Sequence, residues 1–206
     1  MAYQQPYYHD IITQKSWEEL KSLKSRLNFV LIGGWAVYLY TKALKSKDID
    51  ILLDYSELGK LRELYPSVYK NDRLSKYEAV SGDVQIDVYL PFYSNLGIPA
   101  EVLSQNKGIV DGFSVLDPNY LTVLKIFTYY QRRLSDKGRK DFVDLVSLFN
   151  SGSLAFGDLL AIVTKYNYKN NLRDFLKEFH STSSVMELGI NTHKMARLKK
   201  SIPITC

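Results

Sequence analysis

Two aspartates separated by a single isoleucine, Asp48-Ile49-Asp50, carry the densest chemical signal in this sequence. Side chains alternate between the two faces of a strand, so Asp48 and Asp50 point one way while Ile49 and Ile51 point the other. Two like charges close together on an otherwise apolar strand repel each other. A hard divalent cation with oxygen ligands relieves that repulsion, most often Mg²⁺, with Mn²⁺ as a substitute. A sheet edge that puts both acids into water would give the same pattern. What favours the cation is the stretch before the acids, where Val30-Leu31-Ile32 runs into Gly33-Gly34. Consecutive glycines allow a tight turn and close approach of backbone to ligand. The apolar spacing from Trp35 to Leu44 predicts a buried helix starting at the turn, whose first amides suit a phosphate. Lys47, directly before the acids, adds a positive charge. Turn and acids together read as a site for a metal and a phosphate.

A third carboxylate strengthens this reading. Gly82 to Leu90 alternates as a strand, with Asp83, Gln85 and Asp87 on one face and Val84, Ile86 and Val88 on the other. If this strand lies beside the first, Asp87 completes a cluster with Asp48 and Asp50, and Asp83, nearer the turn, is solvated. Three such carboxylates can hold two divalent ions for in-line displacement at phosphorus, one activating an attacking hydroxyl and one steadying the leaving pyrophosphate. A second constellation lies downstream. Asp117-Pro118-Asn119 opens a helix with Asp117 as N-cap, and Lys125, Thr128 and Arg132 fall on one of its faces. A lysine, a hydroxyl and an arginine so aligned can grip a triphosphate, although a solvated basic stripe has the same spacing. In the helix from Gly138, Asp141 and Asp144 share a face opposite Phe142, Leu145 and Phe149.

The order Gly33-Gly34, Asp48-x-Asp50 and a later Asp87 resembles the polymerase-β-like nucleotidyltransferase superfamily. The resemblance implies that Gly33 and Gly34 precede the nucleotide-facing helix. It also implies that Asp48 and Asp50 bind the metals and that Asp87 is a further ligand or the base for the attacking hydroxyl. Gly-Gly stands where that superfamily commonly has Gly-Ser, and Lys45-Ser46-Lys47 where it often has a basic residue and a threonine. With the Lys125-x-x-Thr128-x-x-x-Arg132 helix and Lys140-Asp141-x-x-Asp144-Leu145, the chain from Phe29 to Leu148 resembles the AbiEii/AbiGii family of toxins from toxin–antitoxin and phage-defence systems. By that resemblance Lys125 and Arg132 contact the nucleotide phosphates and Asp141 closes the active site. Asp144 is either catalytic or a structural tie.

The elements that must position these groups follow from periodicity and turn residues. Ser16 to Leu27 is expected as a helix with a Ser16-x-x-Glu19 capping box and Trp17, Leu20, Leu23 and Leu27 toward the core. Ser56 to Leu64 reads as a helix closed by Pro66. Ser67–Tyr69, Tyr77–Val80, Val84–Leu90 and Gly112–Leu116 read as strands. From Pro118 the pattern is helical, through 158–166, 172–180 and 193–200. The fold expected is therefore α/β, a nucleotidyltransferase core with a mixed sheet over residues 1–117, followed by a helical part over 118–206.

Composition is that of a globular protein: 206 residues, 46% of them hydrophobic, suffice for a core. The one cysteine, Cys206, excludes an intramolecular disulfide and a multi-cysteine zinc site. No apolar run reaches the roughly 18 residues of a membrane span, and Met1 to Pro6 lacks the features of a signal peptide, so a cytoplasmic location is expected. His9, His180 and His193 are scattered and receive no role. Neither a Gly-x-Ser-x-Gly elbow nor a P-loop occurs, which removes serine-hydrolase and P-loop classes. A net charge of +5 and a pI near 9.0 favour polyanionic partners. Basic residues gather at 42–47, 132–140 and 193–200, and aromatic residues such as Tyr129 and Tyr130 stand near Arg132.

The activity implied is transfer of a nucleoside monophosphate from a nucleoside triphosphate to an acceptor hydroxyl, dependent on Mg²⁺ or Mn²⁺. RNA, such as a tRNA 3′ end, is the acceptor that the toxin resemblance implies, and a cognate antitoxin would be a partner. A protein side chain or a small hydroxyl compound of the antibiotic type are alternatives. A catalytically weak binding or regulatory module on the same fold is the reading from another class.

Overall fold

Phe29–Ile32 forms strand β1, a nearly all-buried apolar strand in the interior of a seven-stranded sheet. A strand with neighbours on both edges and covered faces must be apolar along its length, and these residues are. The structure is a computed structural model that describes residues 10–202. Met1 to Pro6, His9 and Cys206 lie outside them. Residue contacts divide the chain at Asp117 and Pro118 into two compact units.

The first unit holds helix α1 (Asp10–Lys24), β1, α2 (Gly33–Thr41), β2 (Ile49–Leu53), a 3₁₀ turn at Tyr55–Glu57, α3 (Leu58–Leu64), β3 (Val68–Asn71), β4 (Lys76–Ser81), β5 (Val84–Tyr89), α4 (Ala100–Gln105), β6 (Lys107–Val110) and β7 (Phe113–Leu116). The sheet order is β3-β4-β5-β2-β1-β7-β6. β2 is antiparallel to β1 and parallel to β5, β7 is parallel to β1, and both edges are antiparallel hairpins, so the sheet is mixed as expected. Ile49, Ile51, Ile86 and Val88 are fully buried, which fixes the register of β2 against β5 because a slip of one residue would expose them.

Several local expectations are corrected. α1 begins at Asp10, so Ser16 is in its middle, buried, and its Oγ accepts a hydrogen bond from Trp35 Nε1 at 2.8 Å. The Ser16-x-x-Glu19 capping box therefore does not form. Glu19 instead accepts from the hydroxyls of Tyr65 and Ser81. Ser16 lies on the face of α1 that meets Trp35, and there a tertiary partner outcompetes a local cap. α2 stops at Thr41, with Lys42 left-handed at φ 54°, so Ala43 and Leu44 are outside the helix. α4 and β6 had no counterpart in the sequence reading. β6 is a mostly exposed edge strand and carries no hydrophobic alternation to read.

The second unit is helical, as expected: α5 (Pro118–Arg132), α6 (Asp136–Asn150), α7 (Phe156–Lys165), α8 (Lys169–Ser181) and α9 (Thr192–Lys200). Its core is aromatic, with Phe142 and Phe149 packed on Phe175 at 5.8 and 5.4 Å between ring centres. Gly138 lets α6 cross close to the end of α5, since a Cβ there would stand 2.2 Å from the Arg132 carbonyl oxygen. Among the described residues no helix is long and apolar enough to cross a membrane.

Candidate active site

The strand register assembles the acids. β5 lies beside β2 with Asp87 opposite Asp50, and β4 lies beside β5 with Glu78 opposite Asp87. Directly paired residues share a sheet face, with neighbouring strands about 4.8 Å apart. Asp50, Asp87 and Glu78 thus form a row across three strands, while Asp48 lies in the bend just before β2, which begins at Ile49 and not at the acids as alternation alone suggested. On the other side of β2, Ile32 is opposite Asp50, and the chain turns at the next residue. Gly33 has φ +66°, and a Cβ there would lie 2.0 Å from Asp50 Oδ2 and 2.6 Å from Cγ. The Asp50 carboxylate fills the space that any other residue would claim for its own side chain. Glycine at 33 is thus required both by the backbone and by the acid. Gly34 follows in the first turn of α2 and is buried.

Asp87 is engaged within the row. Lys76 Nζ lies 2.6 Å from Asp87 Oδ2 and 3.0 Å from Glu78 Oε1, and Gln85 Nε2 donates to Asp87 Oδ1 at 2.9 Å. The Lys76 side chain is only 8% exposed, against 14% for Asp87 and 27% for Glu78. Burial disfavours the Lys76 ammonium, but hydrogen bonds to Asp87 and Glu78 outweigh it and leave its pKa above the usual lysine value. The Lys76 hydrogen bond likewise holds Glu78 below the usual glutamate value. Lys47 lies 3.9 Å from Asp48 and both are well exposed. Asp83 is exposed and paired with Lys15 at 2.6 Å.

Asp48 and Asp50 are oxygen donors of the kind a hard divalent cation takes, and the missing Cβ of Gly33 leaves the Asp50 carboxylate its place beside the helix start. Among the described residues no three His, Cys, Asp or Glu side chains are gathered to hold a metal, and Asp87 has Lys76 as its counter-ion.

Lys125, Arg132, Asp141 and Asp144 come together in the helical unit. Lys125 Nζ lies 2.7 Å from Asp144 Oδ2 and 3.4 Å from Asp141 Oδ1, and Lys140 Nζ lies 3.1 Å from Asp144 Oδ2. Arg132 grips Asp141 with Nε at 2.6 Å and Nη2 at 3.0 Å. The Thr128 hydroxyl turns back to the Leu124 and Lys125 carbonyls. Lys125, Lys140, Asp141 and Asp144 are buried. These residues thus form an ion network tying α5 to α6, rather than the solvated stripe that the spacing alone allowed.

Removing one partner of such a network leaves buried charge uncompensated. Asp144→Ala is expected to destabilise the protein by about 3–5 kcal/mol, read in urea unfolding followed by circular dichroism. Burial works to raise the Asp144 pKa, but Lys125 and Lys140 prevail and hold it below its ordinary 3.8. The unfolded state then binds the proton more tightly than the folded state. The stability due to this carboxylate is complete above about pH 4 and is lost as pH falls through the lower folded-state value. Acid unfolding of wild type should accordingly steepen below about pH 4, and Asp144→Ala should blunt that slope.

A mixed sheet that carries a Gly-Gly turn at the head of a helix and Asp50 on the adjoining strand is a nucleotidyltransferase fold. Solved structures agree in fold at low identity. JHP933 from Helicobacter pylori is 13% identical, covering 91% of this chain and 89% of its own, with a TM-score of 0.54. The antibiotic-resistance factor ANT(2″)-Ia is 15% identical, covering 83% of this chain and 94% of its own, also with a TM-score of 0.54. The same factor in complex with adenylyl-2″-tobramycin is 15% identical, covering 75% of this chain and 96% of its own, with a TM-score of 0.52. No protein-family profile matches the sequence, and no curated protein matches it significantly.

Lys76 and Glu78 were missed from the sequence. The expected strand, Tyr77–Val80, began one residue too late; β4 starts at Lys76, and alternation then puts Lys76 and Glu78 on one face. What joins them to Asp87 is a pairing between strands, which no local pattern shows.

Proposed function

We propose that the chain is a nucleotidyltransferase that moves a nucleoside monophosphate from a nucleoside triphosphate to an acceptor hydroxyl. The observation that carries this reading is the Asp50 carboxylate lodged against Gly33 where β1 turns into α2, with Asp48 two residues before it in the bend that leads into β2. A divalent cation, Mg²⁺ or Mn²⁺, held by Asp48 and Asp50 would supply charge stabilisation at the reacting phosphate. The amides at Gly33 and Gly34 bind phosphate oxygens, helped by Lys47. Asp87 accepts the proton of the acceptor hydroxyl as its oxygen bonds to the α-phosphorus, and the bond from the α-phosphorus to the bridging oxygen breaks to release pyrophosphate.

RNA is the acceptor class we favour, on the net charge of +5 and the resemblance to AbiEii/AbiGii toxins. On that reading the chain acts in the cytoplasm as a toxin held by an antitoxin. A small hydroxyl compound is the second acceptor reading, supported by the likeness in fold to a factor solved with an adenylylated aminoglycoside.

Incubating the protein with each α-labelled nucleoside triphosphate, Mg²⁺ or Mn²⁺, and either total RNA or an aminoglycoside tests this. Label in RNA supports the favoured acceptor, and label in the aminoglycoside the second. Absence of label from RNA, aminoglycoside and protein alike overturns the enzymatic reading in favour of a binding module.

A further inference from the structure

Lys76 is a buried cation in the place where a row of acids would otherwise need one. Glu78, Asp87 and Asp50 sit side by side on β4, β5 and β2, and their mutual repulsion must be met by positive charge. For Glu78 and Asp87 the chain supplies that charge itself, through an ammonium 3.0 Å from one and 2.6 Å from the other. Lys76 shares the face of Glu78 because the two are separated by one residue on β4, and the strand pairing carries its ammonium across to Asp87. Gln85, two residues before Asp87 on β5, occupies the other carboxylate oxygen at 2.9 Å. Both oxygens of Asp87 therefore have protein donors. An oxygen already taking a short bond from an ammonium is a poor ligand for a second cation, since the two positive charges would compete for it at close range.

We infer that Lys76 is a built-in counter-ion that replaces one of the two metals a three-carboxylate site would take, so that this site binds a single divalent cation on Asp48 and Asp50. The inference rests on the nucleotidyltransferase reading of those two acids and deepens it. Asp87 is then left as the proton acceptor, with Lys76 as the residue that positions it. A lysine in this place keeps Asp87 oriented at any metal concentration and makes the site depend on one cation where a three-carboxylate site would need two.

Counting cations tests the inference. Mn²⁺ is titrated into the whole chain and bound metal is followed by calorimetry and by loss of the free-Mn²⁺ paramagnetic resonance signal. One Mn²⁺ per chain is expected for wild type. Lys76→Met, which keeps an unbranched apolar stem and removes the charge, is expected to bind two. Asp87→Asn, which keeps the size and one accepting oxygen, provides a second readout should the Lys76 variant not fold. Its Mn²⁺ affinity should stay within about threefold of wild type while transfer falls, whereas a true metal ligand would lose 10-fold to 100-fold or more. Two Mn²⁺ per wild-type chain, or a large loss of affinity in Asp87→Asn, would overturn the counter-ion role and leave the proposed activity standing. Mn²⁺ binding indifferent to Asp48→Asn and Asp50→Asn would overturn the metal site itself, and the inference with it.

Discussion

Asp50→Asn is expected to lower nucleotidyl transfer by at least about 10³-fold with the fold intact. Charge stabilisation by a bound divalent ion contributes several kcal/mol to a transition state of this kind; about 4 kcal/mol corresponds to the stated factor. The fold should survive because asparagine fills the same space against Gly33, and because removing one charge from a row of like charges relieves repulsion. Asp48→Ala should lose activity to a similar degree. The check is initial-rate transfer beside a thermal melt of each variant. Undiminished turnover in both variants would sink the assignment of these acids, whatever substrate is used.

Gly33→Ala is the second large expected effect, and here structure and activity should fail together. A left-handed backbone costs an L residue roughly 1–2 kcal/mol, and the new methyl would sit 2.0 Å from Asp50 Oδ2. Moving that carboxylate or the turn adds an overpacking cost of about 1–3 kcal/mol, so a total loss of about 2–5 kcal/mol is expected. The collision can be separated from the backbone strain by a double-mutant cycle. With Asp50→Gly already in place, Gly33→Ala should cost only the strain, about 1–2 kcal/mol. Equal costs in the two backgrounds would mean that the methyl does not meet Asp50. Stability of Gly33→Ala equal to that of wild type would deny both the φ and the contact.

Much of the site was legible because its parts are local. Alternation in Ile49 to Leu53 and in Val84 to Tyr89 is a property of the strand itself, so the faces of Asp50 and Asp87 could be read from neighbouring isoleucines and valines. The Gly33-Gly34 turn and the start of α5 at Pro118 were equally visible, since glycine and proline constrain the backbone wherever they stand. The Ser16-x-x-Glu19 pattern misled for the complementary reason. Capping motifs compete with tertiary partners, and Trp35, Tyr65 and Ser81 took both residues of the box. β6 escaped notice because an exposed edge strand need not alternate.

By itself the sequence determined which residues share a strand face or a helix face, where the chain must turn tightly, and that an α/β part precedes a helical one. These are consequences of backbone periods of 2 and 3.6 residues and of the φ limits of glycine and proline. Only the tertiary structure decided that Asp87 stands opposite Asp50, that Glu78 extends their row, and that Lys76 comes between Glu78 and Asp87 as their counter-ion. It likewise decided that Lys125, Arg132, Asp141 and Asp144 meet in one network between α5 and α6. Strand register is chosen by what the whole sheet must bury, since a slip of one residue would turn every side chain of β5 to the other face. Charges distant in sequence find each other only after that choice has been made.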